Sequence, residues 1–329
     1  MKRFKQILCV VDPRQPADTV LERAVSLAQN NQAALTVISF APRVTAGIGM
    51  PEGGPISAAL QEAAIADSQQ QLENVVAPFR PQIAIHAEVL VGTAFLEIIR
   101  EVLRHGHDLL IKAPEDPGWL DRLFGSDDMH LLRKCPCPVW LVKHSPSSSY
   151  RRILAAVDVD ADHPAPELAI RHGLNVQILE LAASLALSDF AELHVAHVWE
   201  AVGESAMRGA FLRRPETEVV AYVEQIRKQH DQGLDDLLSD VIKTQGSDAV
   251  RFLNPRKHVI KGHARKEIPA LADSLAADLV VMGTVARTSV PGFFIGNTAE
   301  AILEQIDCSV LAVKPDGFET PVSLEDRPD

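Results

Sequence analysis

The chain says the same thing twice. Ile7-Leu8-Cys9-Val10-Val11-Asp12 returns as Ile153-Leu154-Ala155-Ala156-Val157-Asp158, an apolar run ending in aspartate each time. The two halves also close alike, with Cys137-Pro138-Val139-Trp140-Leu141-Val142-Lys143 against Cys308-Ser309-Val310-Leu311-Ala312-Val313-Lys314. At 329 residues the chain suits two domains of about 150 residues each. The reading is a first domain over 1–144, a serine-rich linker over 145–152, a second domain over 153–315 and an acidic tail over 316–329.

Between these ends, short apolar runs alternate with segments of helical period. In the first half, strands are expected at Ala34 to Phe40, Ile83 to Leu90, Asp108 to Ala113 and Pro138 to Lys143. Helices are expected at Ala17 to Asn30, Ser57 to Ala77, Ala94 to His105 and Ser126 to Lys134. In the second half the strands are Glu192 to Trp199, His258 to Gly262, Asp278 to Gly283 and Cys308 to Lys314, and the helices Leu174 to Leu187, Glu216 to Thr244, Arg265 to Ala276 and Thr298 to Gln305. Near-continuous apolar strands alternating with helices imply an α/β fold, each half a five-stranded parallel, doubly wound sheet.

Hydrophobic residues make up 47% of the chain and charged residues 23%, which argues for globular domains and against disorder. The net charge of -12 would repel a polyphosphate backbone, and no basic patch offsets it, so nucleic acid is not an expected partner. No run approaches the roughly 18 apolar residues of a membrane helix, and Met1-Lys2-Arg3-Phe4-Lys5-Gln6 has no secretory apolar stretch. The expected location is the cytoplasm. The four cysteines, Cys9, Cys135, Cys137 and Cys308, are too few for a disulfide framework and read as buried thiols.

In open parallel sheets a ligand sits beyond the carboxyl ends of the strands where the strand order reverses. Asp12 and Asp158 end the first strands, and Lys112 and Gly283 end the fourth. From Gly283 the second half reads Gly283-Thr284-Val285-Ala286, then nine residues, then Gly296-Asn297-Thr298-Ala299-Glu300. A glycine after a strand, a loop, and a glycine opening a helix bring backbone N–H groups close to a phosphate, with the helix dipole favouring the anion. Lys112 to Gly125 spans the same 13 positions as Gly283 to Gly296, and Gly125-Ser126 again opens a helix.

On these residues the sequence resembles the universal stress protein family, whose nucleotide-binding members carry a first-strand aspartate and a Gly-two-Gly-nine-Gly-Ser/Thr loop. The likeness runs through the whole chain, twice. It implies two adenine nucleotide alpha hydrolase-like domains related by a pseudo-two-fold axis, an intramolecular version of the dimer formed by single-domain relatives. It assigns Asp158 to the base or ribose of ATP or a related nucleotide, and Gly283, Gly296 and Thr298 to its phosphates. Ala286 stands where the family has its second glycine, and Asn297 where it has a hydroxyl residue. In the first half, Lys112 and Glu115 occupy both early glycine positions, leaving Asp12, Gly125 and Ser126. That half is not expected to hold ATP; Lys112 is expected to meet Asp12 across the reversal and fill the site with an ion pair.

Each residue also has a plainer role. Gly125 and Gly296 suffice to start helices, Asn297 with Glu300 makes a capping-box-like pair, and a strand-end aspartate can cap its own turn. His194 and His197, three apart on one strand, point to opposite faces and cannot share a metal, and no other spacing suggests a metal site. There is no nucleophile elbow, Walker loop or dinucleotide fingerprint, so the expectation is a stress-response small-ligand-binding protein and not an enzyme, slow nucleotide hydrolysis being the weakest reading. Two loops after the second strands, Ala41 to Ile56 with Gly47, Gly49, Gly53 and Gly54, and Ala201 to Pro215 with Met207, Phe211 and Leu212, should overhang the sites. Their apolar content permits a scaffold or a hydrophobic, lipid-like ligand as the alternative to a nucleotide.

Overall fold

A computed structural model of the chain describes residues 4–14, 18–44, 54–115, 126–143, 149–209, 212–245, 253–284 and 295–324. They divide into two compact units: an N-terminal unit, which takes in residues 319–324 as well as the first half, and a C-terminal unit spanning Ser149–Phe318.

The N-terminal unit runs β1 (Gln6–Val10), α1 (Asp18–Asn31), β2 (Ala34–Ala41), α2 (Pro55–Val76), β3 (Ile85–Val91), α3 (Ala94–His105), β4 (Leu109–Lys112), α4 (Asp127–Lys134) and β5 (Val139–Leu141). Its strands lie in the order β3-β2-β1-β4-β5, paired in parallel. The apolar stretches Ile7-Leu8-Cys9 and Leu109-Leu110-Ile111 are wholly buried, as strands covered on both faces must be. α3 turns Ile98, Ile99 and Val102 inward and stops at Gly106, whose φ of 63° only glycine adopts without cost.

The C-terminal unit runs β6 (Arg152–Ala156), α5 (Ala165–Asp189), β7 (Glu192–Trp199), α6 (Glu204–Arg208), α7 (Glu216–Gln245), β8 (Arg256–Lys261), α8 (Ala264–Leu275), β9 (Leu279–Gly283), α9 (Asn297–Leu303) and β10 (Ser309–Val313). Its order, β8-β7-β6-β9-β10, is also parallel throughout and repeats that of the first unit. Each unit is thus the five-stranded α/β sheet expected from the alternation. The order reverses between β1 and β4 in one unit and between β6 and β9 in the other.

Two departures from the expected elements exceed two residues. α5 starts at Ala165 rather than near Leu174: Glu167 favours its first turn, while Gly173, unfavourable by about 1 kcal/mol inside a helix, masks the continuity in sequence. The loop after β7 contains a single helical turn, α6. Phe190 ends α5 at φ 55° with its ring 90% exposed, and Ala276 ends α8 at φ 45°, where the first unit has Gly106. In the N-terminal unit, Arg100 Nε donates to the Ser323 carbonyl at 3.3 Å, tying the last described segment to α3. No helix among the described residues is long and apolar enough to cross a membrane.

Candidate functional site

The reversal in the C-terminal unit gathers most of the expected residues. β6 and β9 are in register at Ala156 and Met282, so Asp158 and Thr284, each two residues further on, stand at the same level above adjacent strands. α5 fixes the main chain of Asp158 from both sides: the Asp158 N–H donates to Asn175 Oδ1 at 3.0 Å, and Asn175 Nδ2 donates to the Asp158 carbonyl at 2.6 Å. The carboxylate is occupied too. Oδ1 accepts the Asp160 N–H at 3.1 Å, the turn-capping role open to any strand-end aspartate, and Oδ2 pairs with Arg171. Arg171 is held from its other side by Glu167, at 3.1 Å from Nε and 2.9 Å from Nη2.

Across the reversal, the Thr284 N–H donates to the Val313 carbonyl at 3.1 Å and its carbonyl accepts the Gly296 N–H at 2.9 Å. The threonine is only 1% exposed, and its hydroxyl has no hydrogen-bond partner among the described residues. A buried unsatisfied hydroxyl costs about 1–3 kcal/mol. Gly296 is the N-cap of α9 with φ -64°, and Asn297 and Thr298 are the first, exposed helical residues. No side chain caps this turn, which corrects the capping-box reading of Asn297 with Glu300: Asn297 lies one position inside the helix, where its side chain cannot reach the N3 amide. Gly283 has a packing reason of its own, since a Cβ there would stand 2.7 Å from Leu174 Cδ2 on α5. Ala286 and Gly125 lie outside the described residues.

The equivalent place in the N-terminal unit is filled by side chains. Lys112, buried at the tip of β4, pairs with Asp128 of α4 and lies 3.8 Å from Glu115 Oε1. Asp128 Oδ2 also accepts the Glu115 N–H at 2.8 Å, and Ser126 Oγ caps α4 by accepting the Met129 N–H at 3.2 Å. The expected pair of Lys112 with Asp12 is therefore corrected: the ammonium goes to Asp128. The reason is burial. A sequestered ammonium needs an equally sequestered counter-ion, and Asp128 is buried, whereas Asp12 stands partly in solvent and accepts the Arg14 N–H at 3.1 Å and its Nε at 3.0 Å. Glu115 is shifted up, chiefly by burial, against the pull of Lys112.

Below Asp158, the histidines of β7 divide between the two sheet faces as their offset requires. His197 Nε2 lies 2.9 Å from His230 Nδ1 of α7, with His197 Nδ1 3.3 Å from the Val157 carbonyl; His194 Nδ1 lies 2.9 Å from His258 Nε2 on β8. Burial is the first cause that pushes His194, His197 and His258 below the usual histidine range. Among the described residues no group of three or more His, Cys, Asp or Glu side chains is placed to hold a metal. All four cysteines are buried thiols outside any disulfide. Of the overhanging loops, Val202 and Leu212 present exposed apolar side chains, while Gly47, Gly49, Gly53 and Phe211 fall outside the described residues.

Sequence reasoning passed over Arg171 and Thr284, and read Asp128 as a first-turn carboxylate that competes with phosphate, not as the partner of Lys112. Arg171 was signalled only by an acid four residues before it, and Thr284 by following Gly283 directly. The arrangement sets the Asp158 carboxylate at one strand tip and, at the adjacent one, a buried hydroxyl close in sequence to the first turn of α9.

The model described as "Universal stress protein family" matches residues 3–143 and again 149–314. The chain is 31% identical over 339 positions to Universal stress protein E of Escherichia coli strain K12, covering 100% of each. It is 28% identical to the Universal stress protein E homolog of Haemophilus influenzae, covering 95% of this chain and 98% of that one. Among solved structures, a putative universal stress protein from Pseudomonas aeruginosa UCBPP-PA14 is similar at a TM-score of 0.67 and 26% identity, over 96% of this chain and 95% of that one. A functionally unknown protein of Pseudomonas aeruginosa PAO1 is similar at 0.66 and 27%, over 96% and 94%.

Proposed function

Because the chain belongs to the universal stress protein family, with one family domain in each half, we propose that it is a cytoplasmic stress-response binding protein, not an enzyme, whose second domain holds ATP or a related nucleotide. The ligand would lie between Asp158, serving ribose hydroxyls, and the segment from Gly283 to Thr298, serving phosphates. The observation that carries this reading is the Thr284 hydroxyl, buried at the tip of β9 and without a partner among the described residues. A phosphate oxygen or a ligand hydroxyl would satisfy it, and the first-turn N–H groups of α9 would add to the same anion. In the first domain Lys112 and Asp128 pair at the equivalent place, which supports the reading that this half does not hold ATP.

Calorimetry of the full chain with ATP tests this. Binding is expected, and Thr284→Val, nearly isosteric, should weaken it about tenfold without lowering the unfolding temperature. Absence of heat at millimolar ATP rejects the nucleotide. A second reading, a hydrophobic ligand, is favoured by the exposed Val202 and Leu212 on either side of α6. Native mass spectrometry separates the two by the mass of any retained molecule.

A further inference from the structure

The ring of His197 touches the main chain on both sides of Asp158. It is buried, and its Nδ1 lies 3.3 Å from the Val157 carbonyl and 3.4 Å from the Val159 N–H, so one nitrogen faces an acceptor and a donor. At the other end of the ring, Nε2 lies 2.9 Å from Nδ1 of His230 on α7. Trp199 stacks on His230 with centroids 5.6 Å apart. α7 also closes on the same turn at Gly233, where a Cβ would stand 3.5 Å from Val159 Cγ2. The first unit has a different residue at the matching place. Val157 donates its N–H to the Ala196 carbonyl as Val11 does to that of Ile38, both at 2.9 Å, so the counterpart of His197 is Ser39, which takes on no charge.

The number of protons on the histidine pair sets what it can hold. The line between His197 Nε2 and His230 Nδ1 takes one proton and no more, because two would set N–H against N–H. In the neutral pair the other proton sits on one of the outer nitrogens, His197 Nδ1 or His230 Nε2. When it sits on His230, His197 Nδ1 is a lone pair and accepts the Val159 N–H. A further proton fills both outer nitrogens, whichever ring carries the charge. His197 Nδ1 is then a donor, it serves the Val157 carbonyl, and the Val159 N–H loses this acceptor.

We infer that His197 and His230 form a proton-operated catch on the Asp158 turn, which holds the Val159 N–H while the pair is neutral and releases it when the pair takes up one proton. The catch does not depend on which molecule Asp158 meets. Burial pushes His197 below the usual histidine range, against the pull of Asp158 and Asp160 in the turn itself, so release comes as the pH falls below about 6.5. Charged groups on the packed elements have partners of their own. Arg171 of α5 pairs with Asp158 and Glu167, and His163, just ahead of α5, lies 3.9 Å from Glu167. Lys257 of β8 takes Asp231 and Asp235 of α7 at 3.2 and 2.5 Å, Arg227 of α7 takes Glu224 at 2.8 Å, and His172 of α5 lies 3.9 Å from Asp240 of α7.

The test is nitrogen-15 NMR of the full chain between about pH 7.5 and about pH 5, reading the histidine ring nitrogens and the backbone amides. His197 Nδ1 should carry a lone pair in part of the population at the upper end. On acidification the His197 and His230 rings and the Val159 amide should move with one midpoint. Protection of the Val159 amide, corrected for its intrinsic exchange, should fall about fivefold, the scale of one neutral hydrogen bond. The Asp158 amide, held by Asn175 Oδ1, should keep its protection. His230→Phe keeps a ring for Trp199 but removes the acceptor for Nε2–H, and should move the step at Val159 to lower pH. His163→Gln should leave that step in place. A His197 Nδ1 that is protonated throughout, a Val159 amide that stays still while the two rings titrate, rings that do not titrate in this range, or a step that disappears in His163→Gln overturns the catch. The wild-type titration decides by itself if His230→Phe does not fold.

Discussion

Replacing Lys112 with methionine should destabilise the N-terminal unit by about 3–5 kcal/mol, the cost of leaving a buried carboxylate without its counter-ion. Lys112 and Asp128 are both more than nine-tenths buried, and beyond Lys112 the Asp128 carboxylate has the Glu115 N–H at 2.8 Å. One charge-assisted hydrogen bond worth about 1.5–3 kcal/mol is already made in the wild type and does not replace the lost counter-ion, so the penalty stands. Against a domain stability of about 5–15 kcal/mol, such a loss brings the unit near its threshold. Asp128→Leu should cost somewhat less, because Glu115, 3.8 Å away, still faces the ammonium. The double variant Lys112→Met/Asp128→Leu removes both charges and should recover to within about 1 kcal/mol of wild type, the remainder being the unpaired Glu115 N–H. Native-state hydrogen exchange is the suitable assay, since it reads each unit separately. Protection should fall at Leu110, whose N–H donates to the Pro138 carbonyl, and at Val142, whose N–H donates to the Lys112 carbonyl. It should hold at Val157, paired with Ala196 in the other unit. A single variant that loses less than about 1 kcal/mol, or a double variant no better than the two singles added, refutes the claim that the pair is one sealed electrostatic unit.

Two further outcomes follow from the structure. His107, His130, His194, His197 and His258 are all depressed below the usual histidine range, with burial the first cause in each. Around and below about pH 6.5 the unfolded chain therefore binds more protons than the native one, so their contribution is present above that pH and lost as pH falls through it; a urea midpoint that is flat from about pH 7.5 to about 5.5 would contradict this. Phe190→Gly should stabilise the chain by about 0.5–1 kcal/mol, because the ring is almost wholly exposed while the backbone sits at φ 55°; a lowered unfolding temperature would show that the ring holds something.

The architecture was legible because each half spells it independently. Ile7–Asp12 and Ile153–Asp158 open matching sheets, and the order within each follows from the alternation of strands with helices. The position of Asp158 opposite Gly283 was legible for the same reason: parallel register sets equal strand tips side by side. Partner choice was not. Asp12 was the carboxylate expected for Lys112, and the one that it meets, Asp128, is set apart by burial, a three-dimensional quantity. Gly283 read as an approach for phosphate, yet the contact it permits is with Leu174, a residue more than a hundred positions away. Thr284 drew no notice in sequence, since a threonine after a strand is ordinary until its hydroxyl is found enclosed and unmatched. Asn297 was misplaced by one position, enough to turn a first helical residue into an apparent cap.

The segment after Phe318 gives the chain an unusual order of completion. Because residues 319–324 belong with the N-terminal unit, the half that leaves the ribosome first is the half whose final strip arrives last. Roughly 170 residues of the C-terminal unit intervene, which at about 5–20 residues per second is a wait on the order of 10–30 s. For that interval α3 stands without the Ser323 carbonyl that Arg100 takes up in the finished molecule, so the first domain is closed only once the second has been made.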